Sequence, residues 1–555
     1  MSDGSGGSDG TRAGTGGEAD RRPSGRVDVC VIGSGPAGAL VAATLARRGR
    51  DVVVLEAGRR FDPAERLRQM ERSIRPGGGS VWEMGGARDA FTSPGERRYP
   101  LNAARVKGVG GSTLHWQGMV MRLHELDFER RTREGVADDW PIGYDDLAPY
   151  YARAERELGV AGAVDDPFAP PRDGPFPMPA FPPSYGDSLF ADACERLGVA
   201  MHSVGNARNS EAYDGRGPCV GYGTCKPVCP SGAKYTAEVH VAEAEAEGAR
   251  VVDRAAVQRL EHGDSGEVVE AAVYATPDGE EHRQEARRFV VACGGVETPR
   301  LLLLSASDRH PDGLANSSGL VGRYFMDHLF AGVGGRLDEP TRQNHVGFIT
   351  SECHQFYDDP GRATRGIPGT DADVGSIKLE FLNYAGPSPV EMALGAEEWG
   401  DDLLSVLREA YGNEIAMGAL VGQLPRRENR VALDRSRTDD HGNPVPAIHW
   451  RIDDRTKRTI ERANEIQRAI LSELGVEITW TVGPENTGPA FHHMGTTRMG
   501  TDPEESVVDS TLRTHDLDNC WIASSGVFVT SGAMNPTLTI AALALRVADH
   551  VDETL

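Results

Sequence analysis

Val27-Asp-Val-Cys-Val-Ile-Gly-Ser-Gly-Pro-Ala-Gly38 is the stretch that decides the fold of this chain. A Val/Ile-rich run of buried-strand character leads into Gly33, Gly35 and Gly38, which fit G-x-G-x-x-G, and Ala37 to Arg47 continues as a helix with small residues on its packing face. In such a turn the first glycine permits the bend, the second lets the backbone approach a pyrophosphate, and the third lets the helix pack on the strand. Main-chain N–H groups at the helix N-terminus then hold the anion. Asp51-Val-Val-Val-Leu-Glu56 predicts a second strand, and Glu56 stands about 20 residues on, where a ribose hydroxyl is expected. Strand, helix, strand and terminal carboxylate together indicate an α/β dinucleotide-binding domain.

The other informative stretches lie near the C-terminus: His492-His-Met-Gly-Thr-Thr-Arg-Met-Gly500 and Ser531-Gly-Ala-Met-Asn-Pro-Thr-Leu-Thr-Ile540. Oxidising an alcohol requires removal of the hydroxyl proton and of the carbinol hydride. A neutral imidazole suits the proton step, and a nearby amide can stabilise developing alkoxide character on the same oxygen. The first stretch offers two histidines, His492 and His493, and the second the amide of Asn535. A histidine on an apolar stretch is more often structural, but here it stands in a glycine-rich motif with a matching amide downstream.

Between the two ends, in order, come Lys107-Gly-Val-Gly-Gly-Ser-Thr-Leu-His-Trp116, Val291-Ala-Cys-Gly-Gly-Val-Glu-Thr-Pro-Arg-Leu-Leu-Leu-Leu-Ser305 and Asn316-Ser-Ser-Gly-Leu-Val-Gly-Arg-Tyr-Phe-Met-Asp-His328. The whole series resembles the glucose–methanol–choline (GMC) oxidoreductases, from Val27 to Val551. The resemblance implies FAD, bound by a Rossmann-like domain into which a substrate domain, built on an antiparallel sheet with helices, is inserted. The expected FAD-binding segments are 26–120, 200–334 and 481–555, and the substrate-binding segments 121–199 and 335–480.

It also implies that His492 faces the flavin with Asn535 beside it, and that His493, at a position often held by Pro, is secondary. Gly110, Gly111, Ser112, Glu56, Val257 and Val527 are implied FAD contacts. His115 matches the position where some members attach the flavin covalently and others carry Asn. Ser524, in Ala523-Ser-Ser-Gly526, stands where the family usually has Asp and removes a charge there.

Eight cysteines occur, three of them in Gly217-Pro-Cys219-Val-Gly-Tyr-Gly-Thr-Cys225-Lys-Pro-Val-Cys229-Pro-Ser-Gly-Ala-Lys234. An odd number in a Gly/Pro-rich loop makes a purely disulfide account awkward. A structural loop with free thiols, a zinc site completed from elsewhere and an iron–sulfur cluster all fit the spacing. Resemblance to the large subunits of glucose-, gluconate-, sorbitol- and fructose-type dehydrogenases implies the last, a three-iron (3Fe-4S) cluster on Cys-x5-Cys-x3-Cys. With it come an expected small subunit and a cytochrome electron acceptor.

The 555 residues carry 83 acidic and 59 basic side chains, a net charge of −24. That repels nucleic acid and anionic membrane surfaces, and suits a halophilic setting in which salt screens self-repulsion. The Gly/Ser-rich tail 1–25 is expected to be disordered, and no apolar run is long enough to span a membrane. The expected setting is cytoplasmic, or at a membrane through a partner subunit. Charged helices are predicted at 146–158 and 455–474, and strands of a second sheet at 376–382 and 430–434.

The reading is an FAD-dependent dehydrogenase acting on an alcohol of a sugar, polyol or sugar acid. The alternatives are an oxygen-using alcohol oxidase of choline or sterol type, in which a cluster would be idle, and a non-catalytic electron-transfer flavoprotein.

Overall fold

The computed structural model describes residues 21–75, 80–343, 347, 349–384 and 388–555. Of the tail expected at 1–25, residues 1–20 lie outside the described residues. Arg21 pairs with Asp253 at 3.1 Å, and the Ser24 N–H donates to the Gln284 side chain at 2.8 Å.

The strand Val27–Ile32 is buried on both faces except at Asp28, which is why it reads as a nearly continuous apolar run. It pairs in parallel with Val52–Leu55 on one side and Glu281–Val291 on the other. Arg250–Val252 and Cys520–Ile522 extend the sheet at either side, again in parallel. Among these five strands the spatial order is third, second, first, fourth, fifth in chain order. The direction of progression therefore reverses between Val27–Ile32 and Glu281–Val291, and a ligand crevice opens at such a switch point. The first half of Glu281–Val291 continues into an antiparallel meander with Val269–Ala275 and Ala256–His262. Helix Pro36–Arg47, with proline in its first turn, buries ten residues and packs against helices Thr537–Glu553 and Glu238–Ala246.

A second sheet is wholly antiparallel: Glu477–Val482, Leu329–Arg336, Glu414–Val421, Ile377–Leu382, Ile349–Cys353 and His202–Ser203, in that order. Ile377, Leu379 and Phe381 share a core with Ile460, Ile466 and Ile470 of helix Asp454–Glu473. Because side chains alternate along a strand, Lys378 and Glu380 point to the opposite face, and both are nonetheless buried. One face of this sheet is thus an apolar core and the other a buried charged layer. The fold is the two-part α/β architecture expected, a dinucleotide-binding sheet with an antiparallel substrate-domain sheet.

The boundaries expected at 334/335 and 480/481 fall inside the strands Leu329–Arg336 and Glu477–Val482. The predicted helices are Tyr144–Leu158 and Asp454–Glu473. The predicted strand at 430–434 is real but belongs elsewhere. Arg430–Thr438 pairs with Pro444–His449 in a separate hairpin laid against helix Gly294–Leu304, where Arg300 donates to the Pro444 carbonyl at 3.0 Å. Among the described residues no helix is long and apolar enough to cross a membrane.

Candidate active site

A single cavity runs from the glycine turn to the C-terminal motifs. Its lining includes Gly33, Gly35, Glu56, Gly111, Ser112, His115, Val257, His492, His493 and Asn535. The three glycines divide the work. Gly33 has φ +99, and a Cβ there would meet the Ala292 carbonyl oxygen at 2.7 Å; one on Gly38 would lie 1.9 Å from the Gly33 carbonyl oxygen. Both are required for close packing of turn, helix and strand. Gly35 has no atom within 4 Å of its would-be Cβ and opens onto the cavity. The loop at 110–112 lies on this turn, for a Cβ on Gly111 would meet the Gly35 Cα at 2.8 Å, and the Gly110 N–H donates to Ser34 Oγ at 3.4 Å. Glu56 accepts from the Ser34 N–H and hydroxyl at 3.0 and 2.7 Å and from the Gly58 N–H at 2.9 Å, and burial raises its pKa.

Gly38, Gly110 and Val527 are not in the lining; Val527 is fully buried, and its carbonyl accepts from the Met499 N–H at 2.9 Å. Ser524 lines the cavity, but its hydroxyl turns back to accept from the Gly526 N–H at 3.1 Å. His115 is different in kind. Both ring nitrogens lack a partner, and burial, with Lys226 and Lys234 nearby, pushes its pKa down to about 4. The free space above Gly35 and these unpartnered nitrogens fit an extended flavin dinucleotide.

At the other end of the cavity the hydrogen bonds fix which nitrogen of His492 is free. His328 Nε2 lies 3.2 Å from the Ser531 carbonyl, which can only accept, so His328 donates from Nε2. Burial holds the His328 pKa down at about 4, so at neutral pH its Nδ1 carries a lone pair. His492 Nδ1 lies 2.8 Å from that atom and must donate to it. His492 Nε2 is therefore the unprotonated nitrogen. Burial, then the charge His328 would carry if protonated and the charge of Lys378, holds the His492 pKa well below its ordinary value, which keeps the ring a neutral base. The His492 N–H donates to Asp327 Oδ1 at 2.8 Å, Tyr99 donates its hydroxyl to Asp327 Oδ2, and Phe491 takes the left-handed φ +67 that delivers His492 there.

Asn535 is oriented by the same logic. Lys378 Nζ, which can only donate, lies 2.8 Å from Asn535 Oδ1, so the amide nitrogen turns away from the lysine. Lys378 also donates to Glu352 Oε1 and Glu380 Oε1, each at 2.8 Å. This is the charged layer of the antiparallel sheet, in contact with the C-terminal motif. His328, Asp327, Tyr99 and Lys378 went unassigned in the sequence. Asp327 and His328 close a motif already noted; Tyr99 and Lys378 lie on distant segments, and no spacing relates them to His492 or Asn535.

The three loop cysteines lie outside the cavity lining, but Lys226 between them is part of it. Lys234 Nζ ties the loop to the His115 segment by donating to the Cys225 and Trp116 carbonyls at 2.7 and 2.5 Å. Arg208 Nη1 donates to Cys225 Sγ at 3.7 Å. Burial raises the Cys229 pKa, but the Lys234 N–H, the Ser231 hydroxyl and the Lys234 charge outweigh it and lower the pKa overall. Among the described residues the groups of three ligating atoms within 4.8 Å of one another are Asp166–His202–His354 and Glu157–His240–Glu243, not the cysteines. A single ion on all three thiols therefore does not fit this arrangement, whereas a cluster, whose thiolates bind different irons, requires no such convergence.

Comparison with known proteins shows the family of the chain. Residues 38–330 and 425–544 match the two family models described as GMC oxidoreductase. The fructose dehydrogenase large subunit of Gluconobacter japonicus is 34% identical over 544 residues, covering 94% of this chain and 97% of that protein. The 2-methyl-1,2-propanediol dehydrogenase of Mycolicibacterium austroafricanum is 32% identical over 546 residues, 95% of each. The crystal structure of pyridoxine 4-oxidase from Mesorbium loti superposes with a TM-score of 0.65 at 19% identity, covering 95% of this chain and 99% of that one, a likeness of fold.

Proposed function

Since the chain belongs to the GMC oxidoreductase family, whose members oxidise CH–OH groups, we propose that it is an FAD-dependent dehydrogenase of a sugar, polyol or sugar acid. FAD would be held at Gly33, Gly35, Glu56, Gly111, Ser112 and Val257 and would supply the acceptor for the carbinol hydride. The chain's own residues do the rest. His492 Nε2 takes the hydroxyl proton, and Asn535 donates its amide N–H to the same oxygen as negative charge grows there. His328 and Ser531 hold His492 in the reactive tautomer, and Lys378 holds the amide. The observation that carries this reading is the Ser531–His328–His492 chain, which leaves a neutral base open to the cavity.

Cys219, Cys225 and Cys229 would hold a three-iron cluster, which supplies one-electron transfer toward a partner, a small subunit and a cytochrome at a membrane. In support, the loop reaches the cavity through Lys226, Val220 and Tyr222 beside the thiols are exposed, and one relative is named a large subunit. His115, with two free nitrogens, is the candidate for a covalent flavin link; yellow cofactor released by acid precipitation would exclude it. The charge of −24 favours working at high ionic strength.

Anaerobic mixing with a panel of sugars, polyols and sugar acids, followed by flavin absorbance, tests the central reading. Bleaching by at least one is expected; none across the panel would overturn it. Iron and sulfide analysis with the EPR spectrum of the oxidised protein tests the cluster. If iron is absent and the reduced enzyme consumes oxygen rapidly, the chain is an oxidase and the cysteine loop is structural.

A further inference from the structure

Away from the cavity, at the outer edge of the antiparallel sheet, Asp166, His202 and His354 bring their ligating atoms within 4.8 Å of one another. His202 is in the edge strand His202–Ser203, and His354 follows the neighbouring strand Ile349–Cys353. Asp166 comes from the irregular segment after residue 162. Asp165 fastens that segment to the edge strand by accepting from the Ser203 N–H at 3.0 Å and hydroxyl at 2.8 Å.

The tautomer of His202 is set from outside the cluster. His202 Nδ1 lies 2.9 Å from the Ser203 carbonyl and donates to it. Its Nε2 lone pair then points at Asp166 Oδ1, 3.6 Å away, with no hydrogen-bond partner although the ring is 1% exposed. Two acceptors facing each other in a buried site repel; Asp166 Oδ1 also accepts from the Phe168 N–H at 2.8 Å, so the atom left without a donor is His202 Nε2. His354 lies between two carboxylates, with Nε2 3.3 Å from Glu352 Oε2 and Nδ1 2.6 Å from Asp166 Oδ2; with its one proton on Nε2, donated to Glu352, Nδ1 presents a lone pair to the same point as His202 Nε2. A histidine that commits one nitrogen to a carboxylate or carbonyl and presents the other to a shared point has the second-sphere arrangement of a metal ligand.

We propose that Asp166, His202 and His354 bind one divalent transition-metal ion of zinc type, with a fourth position open to water. Two imidazoles and one carboxylate are ligands that such an ion prefers. Tetrahedral bonds of about 2.0–2.2 Å put neighbouring donor atoms roughly 3.4 Å apart; the 3.6 Å gap already has that size, and the 2.6 Å contact has to open by less than an ångström. The ion supplies what His202 lacks, and it clips the segment carrying Asp165 and Asp166 to the sheet edge. The competing occupant is a proton: an imidazolium at His354 bridges Asp166 and Glu352, but it leaves His202 Nε2 unpartnered. Binding the metal displaces that proton to solvent.

The test is titration of chelator-treated, flavin-loaded protein with Co2+, followed by absorption, and metal analysis of the same samples after Zn2+ loading and gel filtration. The expected result is a Co2+ equivalent with ligand-field bands and no thiolate charge-transfer band, missing in His202→Gln and in Asp166→Asn at matched flavin content. The thiolate band separates this site from the cysteine loop, and the two variants separate it from Glu157–His240–Glu243. Asp166→Asn keeps the test valid if His202→Gln does not fold. Failure to take up Co2+ or Zn2+, or uptake undiminished in the folded variant, would overturn the site in favour of the proton.

Discussion

His328 and His492 meet through their Nδ1 atoms at 2.8 Å, and the Ser531 carbonyl at the far side of His328 decides which of them donates. Substituting His492 by Ala is expected to slow flavin reduction by about 10²- to 10⁴-fold, the range for loss of a general base. His328→Leu should cost less and should also change the pH profile, because the buried His328 ring lowers the His492 pKa. Without it the acid limb of the flavin-reduction rate should move to higher pH. Superimposable profiles for wild type and His328→Leu would refute the tautomer relay.

Lys378 is fully buried between Glu352 and Glu380. Replacing it by Met leaves uncompensated carboxylate charge in the interior, at a cost of about 3–5 kcal/mol. Urea unfolding of Lys378→Met at matched flavin content measures this, and adding Glu352→Gln in the same chain should recover part of the loss. A cost under about 1 kcal/mol would mean that the carboxylates are already protonated or solvated.

Acid should weaken the fold through its buried histidines. His115 and His328 are pushed down to about 4 and His493 to about 3, by burial in each case. Unfolded, each takes up a proton near pH 6.5. Between these values the unfolded state binds more protons, so stability rises with pH across the window. It is fully present above about pH 6.5 and is lost progressively as pH falls toward 4. Urea midpoints of the flavin-free protein at pH 7, 6 and 5 (about one unit apart) check the sign; a flat series would mean that water reaches these rings.

Gly35 and Gly38 should fail in different ways when changed to Ala. At Gly38 the methyl group would sit 1.9 Å from the Gly33 carbonyl oxygen, so helix and strand must separate and the apoprotein should be destabilised. At Gly35 it enters empty cavity space, so the apoprotein should unfold as the wild type does while flavin affinity falls. Equal apoprotein stability of the two variants would contradict this division. Flavin fluorescence on release and apoprotein melting read the two effects separately.

How far the sequence reaches can be argued from these same residues. Gly33, Gly35 and Gly38 are legible because the geometry of a phosphate-binding turn is local: a few successive residues set it, and only glycine fits the conformation and the close contacts. His492 and Asn535 are legible as residue types in motifs, and the helices at Tyr144–Leu158 and Asp454–Glu473 through their amphipathic period. The hairpin Arg430–Thr438 with Pro444–His449 has the alternation of a strand, but alternation says nothing about which sheet it joins.

The tertiary structure alone decides the protonation of the site. Lys378 reads as one polar residue in an alternating strand, and only burial against Glu352, Glu380 and Asn535 makes it the support of the amide. His328 and His492 are 164 residues apart, and a hydrogen bond across that distance leaves no spacing in the chain. Sequence therefore determined the dinucleotide turn and the kinds of groups available, because local backbone conformation and side-chain chemistry are encoded residue by residue. Which nitrogen is free, which carboxylate is paired and which histidines converge on Asp166 depend on burial and contact between distant segments, and these exist only once the chain has folded.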